Sequence, residues 1–166
     1  MASLGGPNIV TDGLNFYLDA ANKKSYPGSG TTWNDISGNG NTSTLINGPT
    51  FDPANNGSIV FDGIDDRVLI SNPLTISSTS DWTIQLWVKS NQTLPGQGYL
   101  RLLNNGTGGG RNFFLIEWNT RILARNSTST GFAFQTGISP GLPLDGSKFL
   151  LTLIGRNGFL EMYKDT

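Results

Sequence analysis

The sequence predicts an all-β domain, a sandwich built from short antiparallel strands. Apolar runs of four to eight residues recur between clusters of Gly, Asn, Pro and Ser, the punctuation of strands and turns. No stretch carries the 3.6-residue period of an amphipathic helix. The run "WTIQLWVKS" alternates strictly, with Ile84, Leu86 and Val88 on one face and Thr83, Gln85, Trp87 and Lys89 on the other, as in a half-buried strand. At 166 residues the chain has the length of one domain with a real core.

In chain order, "LNFYLDA" (14–20) reads as a first strand, followed by "STLI" (43–46), "SIVFDG" (58–63) and "RVLIS" (67–71). Then come "WTIQLWVKS" (82–90), "YLRLLN" (99–104), "NFFLIEWN" (112–119), "RILARN" (121–126), "GFAFQT" (131–136), "KFLLTLIG" (148–155) and "FLEMYK" (159–164). "NFFLIEWN" is apolar on both faces, so it is expected at the centre of its sheet and covered on both sides. "NNGTGGGRN" (104–112) is a hairpin loop, and Asn157-Gly158 has the positive-φ preference of a type I′ hairpin turn. The expected core comprises Val60, Ile84, Leu86, Val88, Leu151 and Leu153. Tyr26 reads as a loop anchor before Pro27.

Composition excludes several chemistries. With 14% charged residues and a net charge of −1, no basic surface is available for nucleic acid or an anionic membrane. The chain has no histidine and no cysteine, which removes Ser-His-Asp triads, cysteine nucleophiles and the usual zinc ligands. The N-terminal "MASLGGPNIVTDG" lacks the basic start and apolar stretch of a secretory signal, so the chain reads as soluble and unexported. Asn-x-Ser/Thr triplets at Asn41, Asn56, Asn91, Asn105 and Asn126 then follow from an Asn- and Thr-rich composition rather than from glycan acceptance.

The residues also carry a family resemblance. "GLNFYLDAANKKSYPGSGTTWNDISGNGNTSTLINGPTF", "SIVFDGIDDRVLI", "DWTIQLWVKS" and "FLEMYK" together resemble the laminin-G-like group of concanavalin A-like lectin/glucanase domains. The resemblance implies an antiparallel jelly-roll sandwich. It implies an N-terminal arm over 1–12 and a sandwich over 13–166, ended before its closing strands. Versions opening on a "YLDA…SYPGSGTTW…DISGNGN" segment resemble domains of tailed-bacteriophage structural proteins, especially fibres and other surface-exposed parts. That implies a virion setting, contacts with other virion proteins, a homo-oligomeric or multichain assembly, and bacterial surface glycans as a further partner.

Two candidate sites follow. For a glycan, aromatic faces and amide or charged groups on loops or an open sheet face are required, which points to Trp33, Asn34, Trp87 and Arg121. For a cation, calcium needs six to eight oxygens, and Asp35, Asn39 and Asn41 would need help from Asp62, Asp65 or Asp66 of "FDGIDDR". Turn formation by Gly and Asn is favoured over calcium in "SGNGN" (37–41), and no cofactor is required. Catalysis is disfavoured: glycoside hydrolysis needs two carboxyl groups at a set separation, and the only glutamates, Glu117 and Glu161, lie on distant strands. The expected function is therefore a non-enzymatic virion component, with a free or cell-surface glycan-binding adhesin as the alternative and a degenerate glycosidase behind both.

Overall fold

The computed structural model describes residues 9–72, 81–89, 100–105, 111–117, 121–128, 131–138, 146–156 and 159–165. Every strand pairing is antiparallel and the described residues contain no α-helix, so the chain is all-β as expected. Nor is any helix there long and apolar enough to cross a membrane. Two compact units divide between Pro73 and Leu74.

The N-terminal unit contains β1 (Thr32–Asn34), β2 (Thr42–Ile46), β3 (Thr50–Asp52), β4 (Ser58–Val60) and β5 (Arg67–Ile70). β2 is the middle strand of a sheet ordered β1-β2-β5, and β3 pairs with β4 in a two-stranded ladder. Leu45 of β2 and Tyr26 are buried. The Tyr26 ring meets Trp33 edge-on at 6.2 Å and Phe51 at 5.4 Å, so three aromatics seal this small core. Tyr26 is the anchor its context suggested: its hydroxyl donates to the Gly30 carbonyl at 2.8 Å and closes the "YPGSG" loop.

Two expectations fail here. Segment 14–20 is not a strand. Its backbone finds loop partners instead of a ladder: the Tyr17 N–H donates to Asp35 Oδ1 (2.9 Å), its carbonyl accepts from the Ile36 N–H (3.0 Å), and the Asp19 N–H donates to Ser25 Oγ (3.0 Å). Val60 is 46% exposed rather than core. In the β3–β4 ladder Phe51 stands opposite Ile59, so the inward phase of "SIV" belongs to Ile59 and a one-residue shift turns Val60 outward.

The C-terminal unit contains β6 (Trp82–Lys89), β7 (Leu100–Asn105), β8 (Arg111–Glu117), β9 (Arg121–Thr128), β10 (Gly131–Ile138), β11 (Lys148–Arg156) and β12 (Phe159–Asp165). β7 to β10 form a meander in sheet order β10-β9-β8-β7, which gives β8 the interior position its two-sided apolar sequence predicts. Coverage of its two faces, and Asn157-Gly158 itself, lie outside the described residues. β11 pairs with β12 with Arg156 opposite Phe159, the register of a two-residue hairpin.

β11 is the middle strand of the sheet β12-β11-β6. Its inward residues Phe149, Leu151 and Leu153 are fully buried. Each such side chain contributes about 1.5–3 kcal/mol on removal from water. Across the ladder Val88, Leu86 and Ile84 stand opposite these three on the same face, half-buried because β6 is the edge strand.

Candidate functional site

Alternation fixes what the other face of that sheet presents. Because directly opposed residues in an antiparallel ladder share a face, the register places Trp87, Leu150 and Asp165 in one row. Gln85, Thr152 and Tyr163 form the next row, and Thr83, Ile154 and Glu161 the third. Lys89 faces Lys148 at the end of the β6–β11 ladder. This face stays in water: Trp87 is 60% exposed and Tyr163 54%.

Trp87 and Tyr163 stand two strands and two residues apart, about 12 Å from strand spacing and rise. Between them Gln85 Nε2 donates to Thr152 Oγ1 at 3.2 Å, and no donor among the described residues reaches its carbonyl oxygen, an acceptor by chemistry. The Tyr163 hydroxyl donates to Glu161 Oε2 at 3.1 Å. That hydrogen bond and the Glu161 charge push the Tyr163 phenol up, so it stays protonated and polar. Lys148 Nζ lies 5.0 Å from the centroid of the Trp87 ring, a cation–π contact. Two aromatic faces with amide, hydroxyl, carboxylate and ammonium groups between and beside them make an open polar platform. Such a surface can stack on sugar rings and hydrogen-bond their hydroxyls.

The other glycan candidates lie elsewhere in the fold. Trp33 and Asn34 belong to β1, and Arg121 opens β9 opposite Glu117. Trp33 is built into the aromatic core beside Tyr26, with its indole Nε1 buried and without a hydrogen-bond partner. Asn34 is exposed, and its backbone is tied to Ser25 on both sides: its N–H donates to the Ser25 carbonyl (2.8 Å) and its carbonyl accepts from Ser25 Oγ (2.6 Å). These residues thus belong to three strands, and Trp87 is the one on the β12-β11-β6 sheet.

The "SGNGN" segment is a hydrogen-bonded turn around Asp35. Asp35 Oδ1 accepts the N–H groups of Tyr17 (2.9 Å) and Ser37 (2.8 Å). Oδ2 accepts the Ser37 hydroxyl (2.8 Å) and both the N–H and the side-chain amide of Asn41 (3.2 Å each). Partial burial works to raise the Asp35 pKa, but these donors outweigh it and hold the carboxyl below its usual value. Asn39 also spends its amide nitrogen on the protein, donating to the carbonyls of Leu14 (2.8 Å) and Asn15 (3.2 Å). Gly38 and Gly40 take φ of 97° and 72°, the left-handed conformation that made glycine necessary. With five donors on the Asp35 carboxylate and both amide nitrogens donating inward, the loop locks the 14–20 segment onto β1 and β2.

Asp62 and Asp65 gather with Asp66 instead, one carboxylate oxygen of each lying within 4.8 Å of the others. Asp35 is not in that group. Local donors already engage it: Asp62 Oδ1 accepts the Ile64 N–H (2.8 Å), Asp66 Oδ2 the Asp62 N–H (2.9 Å) and Asp65 Oδ2 the Asn47 amide (2.7 Å). These hydrogen bonds tie the three carboxylates into the β4–β5 turn, and a calcium sphere there would need further oxygens from water or backbone carbonyls.

Sequence reasoning missed Tyr163 and Lys148. The signal was present: period-2 phase puts Phe159, Glu161 and Tyr163 on one side of "FLEMYK", and Lys148 on the polar side of "KFLLTLIG". Only the register shows that these sides join the Trp87 side of β6. No family model, curated protein or solved structure matches the chain.

Proposed function

We propose that this chain is a non-catalytic, glycan-binding display module of a bacteriophage particle, a laminin-G-like jelly roll whose β12-β11-β6 face is the binding surface. The observation that carries the glycan reading is Trp87, 60% exposed on an ordered sheet face and sharing it with Tyr163. A large aromatic left in water on a strand, not on a loop tip, is held in place for contact at little further entropic cost. The particle setting is supported by the resemblance of the "SYPGSGTTW…DISGNGN" segment to phage surface domains.

The absence of histidine and cysteine and the location of Glu117 and Glu161 on β8 and β12, in different sheets, support a binding rather than a hydrolytic role. Weak affinity per site suits a virion, where repeated copies raise avidity by roughly 10²–10⁴. The test is a bacterial-surface glycan array probed with the protein displayed multivalently. Specific retention that Trp87→Ala abolishes, with the fold unchanged by circular dichroism, is expected; no glycan retained, or equal retention by Trp87→Ala, contradicts the proposal. Mass spectrometry of purified particles tests the setting, since a protein abundant in lysate and missing from virions is not a virion component.

A further inference from the structure

Lys89 and Lys148 stand directly opposite each other at the Trp87 end of the platform. Like charges in that position destabilise a sheet. Both residues are exposed, and neither amine forms an ion pair with a carboxylate among the described residues. Lys148 Nζ is held 5.0 Å over the Trp87 ring, and Trp87 is still 60% exposed. Among the described residues this end of the face carries two lysines and one carboxylate, Asp165 of the Trp87 row, so it is locally net positive on a protein whose overall charge is −1.

Two ammonium groups with no carboxylate partner among the described residues, beside a sugar-sized aromatic face, are complementary to a sugar ring carrying a negative substituent. We infer that the ligand of this face is an acidic oligosaccharide, with a uronate ring against Trp87 and its carboxylate between Lys89 and Lys148. The inference rests on the glycan reading above and adds the ligand's charge. The two ammonium groups donate charge-assisted hydrogen bonds to the carboxylate, and their mutual repulsion falls when the anion sits between them. Tyr163 and the Gln85 carbonyl, further along the face, remain for neutral rings.

The test uses a panel of oligouronates (mannuronate, guluronate, galacturonate and glucuronate-containing chains) and the same oligosaccharides after carboxyl reduction, which removes the charge and keeps the ring. Titration calorimetry or affinity electrophoresis with the full chain is expected to show at least one oligouronate bound at least tenfold more tightly than its reduced form. Lys89→Gln and Lys148→Gln each weaken that binding roughly three- to tenfold and reduce its salt dependence. Trp87→Ala removes binding of both forms. Equal affinity for a uronate and its reduced partner, or lysine variants that bind as the parent does, overturns the inference while leaving the glycan reading standing. Failure of every acidic and neutral chain to bind overturns both.

Discussion

At Gly155 the Trp82 side chain of β6 lies against the backbone of β11, and replacing this glycine with alanine tests how the platform is braced. Gly155 is buried opposite Trp82 in the β6–β11 register, and the Trp82 indole lies across it. A Cβ added there would overlap the ring atoms Cε2 and Nε1 and stand 2.6 Å from Cζ2. Ordinary carbon contacts lie near 3.5–4.0 Å, so ring or strand must shift by about 1 Å. β11 has little room to yield, since Gly155 is also paired to Leu160 of β12. Overpacking of this kind costs about 1–3 kcal/mol, and relief of a strand glycine's entropy returns roughly 0.5–1 kcal/mol. Gly155→Ala is therefore expected to lose about 1–2 kcal/mol, a fall in Tm of roughly 2–8 °C for a chain of this size. Urea unfolding followed by tryptophan fluorescence and circular dichroism, with the m-value unchanged, measures it. Combining Gly155→Ala with Trp82→Leu should show a favourable coupling above roughly 0.5 kcal/mol, because the smaller side chain clears the methyl group. A neutral or stabilised Gly155→Ala would refute the packing of Trp82 over β11.

Other perturbations read the N-terminal unit. Asp35→Asn is expected to cost roughly 2–3 kcal/mol, since an amide cannot accept from every donor now on the carboxylate. The Asp35 pKa is lowered in the fold, so its contribution is present above the unfolded value and lost as pH falls through the folded one. Acid titrations of stability should accordingly converge for parent and variant at low pH, and a constant gap down to pH 2 would contradict the hydrogen-bonded carboxylate. Ser43 is fully buried with its Oγ unpartnered, so Ser43→Ala should be neutral or stabilise by up to about 1 kcal/mol, and a loss beyond about 1 kcal/mol in thermal denaturation would reveal a hydroxyl bond. Gly57 takes φ 120°, ψ 137° with its missing Cβ 2.9 Å from the Ala20 carbonyl oxygen and 3.0 Å from Phe51, so Gly57→Ala should lose at least about 2 kcal/mol in the same assay.

Strand identity was legible wherever two-residue alternation met a clear turn, as in "WTIQLWVKS" and "KFLLTLIG". It failed at "LNFYLDA", which has strand composition but whose partners are the Asp35 and Ser25 side chains, a long-range arrangement that periodicity does not encode. It failed again at β1 and β3, three-residue strands too short to alternate. The site was half legible. Trp87 stands out on the polar phase of its own strand, whereas the contributions of Lys148, Thr152 and Tyr163 depend on a register between segments some 60–75 residues apart in sequence.

The central claim, that the Trp87 face is where ligand is met, has a direct reporter in the indole N–H groups of the four tryptophans. In ¹⁵N-labelled protein each indole gives its own resonance, assigned by single substitutions. Addition of a glycan retained by the protein should shift the Trp87 indole signal progressively with concentration while that of Trp33, buried beside Tyr26, stays in place. A Trp87 signal that does not move at saturating glycan, or a shift confined to Trp33, would contradict the account.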